Sequence, residues 1–140
     1  MQLMPNAIHP IASEVVQLLV ADGSIEVEPS RAADAEKDLS AIMREYLATE
    51  EEVNQATHRA LARRGLDEAS FVSVQREMAD VRGFHLGDEG VRHVAGQLAE
   101  FLLVSRNVEE VFAPDEVLRR QILGVMTRHL GAAADLPSQP

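Results

Sequence analysis

Ile8-His9-Pro10-Ile11-Ala12-Ser13-Glu14-Val15-Val16-Gln17-Leu18-Leu19 sets Ile8, Ile11, Ala12, Val15, Leu18 and Leu19 three and four residues apart. Val91-Arg92-His93-Val94-Ala95-Gly96-Gln97-Leu98-Ala99-Glu100-Phe101-Leu102 repeats that stripe with Val91, Val94, Ala95, Leu98, Phe101 and Leu102. Such spacing puts the apolar side chains on one side of an α-helix. One constant offset, 91 − 8 = 83, lays the first stretch on the second without a gap. The same offset carries Leu39, Ile42, Met43 and Leu47 onto Ile122, Val125, Met126 and Leu130, and Glu26 onto Glu109. Amphipathic helices match one another cheaply, so the mark of duplication is the offset holding across the connector.

Working outward, Asn6 or His9 is placed to cap the first helix, Pro10 is tolerated in its opening turn, and Gly23 is placed to stop it. Ser24-Ile25-Glu26-Val27-Glu28 alternates polar and apolar and reads as extended, before Pro29 and a capping Ser30. A second helix buries Ala35, Leu39, Ile42, Met43, Tyr46 and Leu47. Thr49 with Glu52 has the spacing of a capping box, opening a third helix through Val53, Ala56, Ala60 and Leu61 that closes at Arg63-Arg64-Gly65. Asp67 caps a fourth helix with Phe71, Val74, Met78 and Val81, ending at Arg82-Gly83. Asp88 opens the fifth. Ser105-Arg106-Asn107 turns the chain into Val108 to Phe112, and Pro114-Asp115 starts a sixth helix that Gly131 ends.

The fold this predicts is all-α: one domain over residues 1–140, a compact bundle of about six helices made by two diverged copies of a helical hairpin. The copies span about 8–47 and 91–130, with intervening helices over 50–82 and a flexible tail over 132–140. A lone hairpin leaves one apolar face uncovered, and pairing two about a pseudo-twofold axis covers both. The connectors around Ile25 and Val108 are candidates to pair as short strands.

Composition agrees with a packed core and narrows the function classes. Of 140 residues, 46% are apolar and 26% charged, near globular averages, while aromatics are only 4%, so the core must be aliphatic. The absence of cysteine excludes disulfides, thiol nucleophiles and thiolate metal sites. No apolar run approaches a membrane span, and the N-terminal stretch lacks the basic region of a signal peptide, so a cytoplasmic protein is expected. Thirteen basic against 23 acidic residues give a net charge of −10, which repels polyanions.

Several segments in order resemble the family catalogued as domain of unknown function number 507. They are Gly23-Ser24-Ile25-Glu26-Val27, Ile42-Met43-Arg44-Glu45-Tyr46-Leu47 followed by Glu50-Glu51-Glu52, Arg82-Gly83, and Ser105-Arg106-Asn107-Val108-Glu109-Glu110-Val111-Phe112 leading into Leu118-Arg119-Arg120. The likeness covers about residues 7–130. It implies a small bacterial helical protein and brings no activity, cofactor or catalytic residue with it.

Candidate chemistry is sparse. His85, Glu89 and His93 have the residue types and helical spacing of metal ligands, but Asp88 and Glu89 equally suit a helix N-terminus. Asp22, Ser24, Glu26 and Glu28 echo a calcium loop, yet Val27 stands at its glycine position and Ala33 at its bidentate glutamate. Glu109 and Glu110 lack a placed partner for acid–base work. Arg63-Arg64, Arg119-Arg120 and Arg128 come without interleaved aromatics. The expectation is therefore a non-catalytic helical interaction or scaffold module, with no cofactor, that binds a protein partner or a second copy of itself. Ile25, Val27, Val108, Val111 and Phe112 are its candidate contact residues. The alternatives are a nucleic-acid-associated helical protein and a metal-dependent enzyme using the His85 to His93 cluster.

Overall fold

Nothing between Ala32 and Arg64 interrupts a helix: the stretch has neither glycine nor proline and is rich in Ala, Glu, Leu and Arg, all strong helix formers. It forms one helix of 33 residues in the computed structural model, which describes residues 1–135. The expected second and third helices are thus a single element, α2 (Ala32–Arg64), and the described residues form five α-helices rather than six. Thr49, read as a cap, lies mid-helix and donates its hydroxyl back to the Glu45 carbonyl at 3.2 Å. With the backbone amides already bonded within the helix, a capping box has no orphan donors to satisfy.

The remaining helices are α1 (Ile8–Ala21), α3 (Phe71–Arg82), α4 (Gly87–Val104) and α5 (Asp115–Asp135), with short 3-10 turns ahead of α1, α2 and α3. Gly65 and Gly83 close α2 and α3 in the left-handed conformation that only glycine adopts cheaply, at φ 66° and 64°. Asp67 accepts the Ala69 amide at 3.0 Å, capping the turn into α3. Neither Asn6 nor His9 caps α1, and Asp88 lies in the first turn of α4 without capping it. Gly131 does not end α5, which continues to Asp135; the expected tail over 132–140 therefore begins inside a helix, and residues 136–140 lie outside the described residues.

The connectors do pair. β1 (Ile25–Glu26) and β2 (Glu110–Val111) form an antiparallel two-stranded ribbon in which Ile25 faces Val111 and Glu26 faces Glu110. It is tied to the ends of α1 and α5: the Phe112 amide donates to the Ser24 carbonyl at 2.8 Å, and Gln121 donates to Asp22 at 2.5 Å.

Helix α1 packs on α2 and α5, and α4 packs on α5 and α2, so α1 and α4 lie diagonally across a four-helix core. That core is aliphatic: Ile11, Val15, Leu39, Met43, Val94, Leu98, Leu118, Ile122, Val125 and Met126 are completely buried. The second half of α2 leaves the bundle and packs against α3 as a helical arm, around a smaller cluster of Ala60, Leu61 and Val74 flanked by Phe71 and Met78. Val81, expected on this apolar face, is exposed, because the inward side of α3 runs through Val74 and Ala79.

Candidate functional site

Two regions of the surface stand out. The first is a cleft of about 500 Å³ where α2, the α3–α4 turn and α4 meet. Its walls include Glu45 and Tyr46 from α2, Arg82 to His85 from the end of α3, and His93 and Gln97 from α4. Tyr46 anchors it. Its hydroxyl donates to the His85 carbonyl at 2.6 Å and its ring stacks on Phe84 with centroids 4.7 Å apart. Burial, reinforced by the Glu50 carboxylate, pushes the Tyr46 hydroxyl up to about 12. The clamp requires glycine at position 90, where a Cβ would meet the Tyr46 oxygen at 1.9 Å and the His85 carbonyl oxygen at 2.5 Å.

That clamp fixes the backbone of His85, and the imidazoles of His85 and His93 lie with centroids 4.5 Å apart, tilted by 34°. Burial first, then the neighbouring His85, holds the His93 ring below the usual histidine range, with Glu100 opposing. Glu89 does not join them. It lines a second cleft, on the side of α3 that holds Val72 and Arg76. Among the described residues no three His, Asp or Glu side chains converge as a metal-ligand group.

The second region is the ribbon end of the bundle, where α1 and α4 finish. Ile25, Val27 and Val108 are buried there, so three of the five residues read as contact candidates belong to the core. Apolar residues of an extended connector fill the end of the bundle instead of facing out, because the ribbon lies across it. Val111 is half-buried and Phe112 is 59% exposed. Exposed Val20, Leu103 and Val104 share this end. Sequence reading missed these three; the usable signal was that Val20 and Leu103 stand at equivalent positions under the offset of 83.

Carboxylates rim the same end. Glu26 faces Glu110 across the ribbon, and a hydrogen bond with Glu28 together with that group's charge raises Glu109 above the usual carboxylate range. Asp22 accepts from the Ser24 amide and from Gln121, and hydrogen bonding to the Ser24 side chain is the main cause holding its carboxyl below the usual range. The arginines noted in sequence are largely engaged. Arg64 grips Glu77 through two nitrogens at 2.8 and 3.0 Å, Arg119 bonds Asp115 and Glu100, and Arg128 bonds Glu14.

Fold and surface together define a class: a helical bundle with a projecting arm, closed at one end by a two-stranded ribbon whose rim is acidic and whose tip is apolar. No helix among the described residues is long and apolar enough to cross a membrane. The chain belongs to the family described as Protein of unknown function (DUF507), whose sequence model matches residues 1–138. No curated protein matches it.

Proposed function

We propose that this protein is a non-catalytic helical interaction module of the cytoplasm that docks a protein partner through the ribbon end of its bundle. The observation that carries this reading is the gathering of Val20, Leu103, Val104 and Phe112, all exposed, at the ribbon end of the bundle, whereas exposed Leu66, Val72 and Val81 belong to the arm. Exposed apolar groups grouped within a polar rim mark association surfaces more often than they occur by chance on monomers. The Glu26, Glu28, Glu109 and Glu110 rim favours a partner that offers basic residues around an apolar anchor. A second copy meeting this end head-on would instead bring like charges together.

The same reading takes the scaffold as two diverged copies of one hairpin. What supports it is that α1 and α4 end at Ala21 and Val104 and that α2 and α5 begin at Ala32 and Asp115, both pairs separated by the offset of 83. Burial follows suit: Ile8, Ile11, Ala12, Val15, Val16 and Leu19 are buried, and so are Val91, Val94, Ala95, Leu98, Ala99 and Leu102.

Affinity capture from native cells, with Phe112→Asp/Leu103→Asp as control, tests the docking. A stoichiometric protein retained by the native chain and lost by the double variant supports it. Recovery of nothing, with a monomer by light scattering, defeats it.

A further inference from the structure

We propose that the ribbon end of one molecule docks the arm tip of a second copy, head to tail; this rests on the reading of that end as a docking surface and names its occupant. The ribbon end calls for basic groups around an apolar anchor, and the tip of the arm presents them. Leu66, just past the left-handed Gly65 that closes α2, is 43% exposed. Arg59 and Arg63, four residues apart on one face of the last turns of α2, are exposed and in no ion pair among the described residues. The acidic residues of the tip are engaged locally: Asp67 accepts the Ala69 amide at 3.0 Å, and Glu68 lies 3.7 Å from His58.

Charge follows the same division. Residues 55–82 hold five arginines against four acidic residues, whereas the rest of the chain holds eight basic against 19 acidic. The connectors at the ribbon end, residues 22–31 and 105–114, hold five acidic residues against Arg31 and Arg106, and Arg31 is turned to the Arg106 carbonyl at 2.8 Å. At physiological salt, charges more than about 8 Å apart are largely screened. The net charge of −10 therefore opposes association less than the touching groups favour it, and at this contact they are opposite in sign. Two copies meeting by the same end would set acid on acid or arginine on arginine. The ribbon precedes α2 and the tip follows it, so the two surfaces stand at opposite ends of a 33-residue helix and one chain cannot satisfy its own. A contact between unlike patches is heterologous, giving a ring where the rotation closes and a filament where it does not.

The test is sedimentation of the full chain at concentrations up to about 1 mM, native and mutated. The average mass of the native chain should rise with concentration past that of a dimer. Phe112→Asp/Leu103→Asp, which spoils the ribbon end, and Arg59→Glu/Arg63→Glu, which spoils the tip, should each remain monomeric alone. Mixed in equal amounts they should form a one-to-one dimer and stop there, because the first still offers its tip and the second its ribbon end. Thermal melts verify that both variants fold, as all four positions are exposed, and Leu66→Ser provides a second tip variant. A native chain that stays monomeric, variants that associate as the native chain does, or a mixture that stays monomeric overturns the head-to-tail contact. A native chain that is monomeric yet captures a different protein through Leu103 and Phe112 overturns this occupant alone and leaves the docking surface standing.

Discussion

The hydroxyl of Tyr46 in α2 and the carbonyl of His85 just before α4 are joined by a 2.6 Å hydrogen bond that spans 39 residues of sequence. It couples the long helix to the turn that carries the arm back to the bundle. Gly90 makes room for it, since any side chain at that position would occupy the space of the phenol oxygen.

Tyr46→Phe should cost about 1–2 kcal/mol, a net hydrogen bond plus a carbonyl left short of a partner. Gly90→Ala should cost more, about 1–3 kcal/mol of overpacking, partly offset by roughly 1 kcal/mol of better helix propensity outside the clash. Because removing the hydroxyl removes the nearest obstacle to the new methyl, the double variant should be destabilised by less than the sum. A urea-denaturation double-mutant cycle reads this coupling. Strict additivity would contradict the clamp.

Glu50 provides a pH signature. Burial raises its carboxyl above the usual glutamate range, opposed by a hydrogen bond from Gln2 and reinforced by the charge of Glu51. A carboxyl raised in the folded state binds its proton more tightly there than in the unfolded chain. Its relative contribution is thus fully present below the unfolded pKa and lost as pH rises through the folded one. Glu50→Gln should therefore melt higher than the native chain at pH 7, with the difference disappearing once the pH falls below the ordinary glutamate range. Melting curves from pH 3 to 8 check this.

The opposed Glu26 and Glu110 separate stability from recognition. Like charges directly across a strand pair disfavour the fold by up to about 1 kcal/mol at an exposed site. Glu110→Lys should raise the melting temperature slightly while reducing capture of a basic partner. A variant that captures the partner unchanged would argue that the rim plays no part in docking.

The arm should open before the bundle. Its cluster is limited to Ala60, Leu61 and Val74 with two half-buried neighbours, whereas the bundle core is several times larger. Local unfolding free energy follows such buried contacts. Hydrogen exchange should show amides of α3 exchanging ahead of those around Leu98 and Ile122. Leu61→Ala should accelerate α3 alone, while Leu98→Ala, at a cost of about 2–5 kcal/mol, should lower protection everywhere.

Much of this fold was readable because helical periodicity and glycine stops are local. The stripes of α1, α4 and α5, the closing glycines at 65 and 83, and the pairing of the two connectors all follow from neighbours in sequence or from the offset of 83. The merger of two expected helices into α2 was missed because Thr49 and Glu52 have capping-box spacing whether or not a helix begins there. Only the lack of any glycine or proline nearby argued otherwise. The cleft was illegible for a different reason. Tyr46, Arg82, His85 and His93 come from three separate segments, and only the packing of α2 against α3 and α4 brings them together. Sequence spacing suggested Glu89 as the companion of His93, yet Glu89 lines the second cleft and not the one that holds His93.

At 33 residues and about 1.5 Å per residue, α2 extends roughly 50 Å. Its near half is built into the bundle and its far half carries α3, so the helix acts as a shared mast for two bodies of unequal firmness. Tyr46 ties the chain leaving α3 to the near half, so His85 stays with the firmer body when the far half loosens.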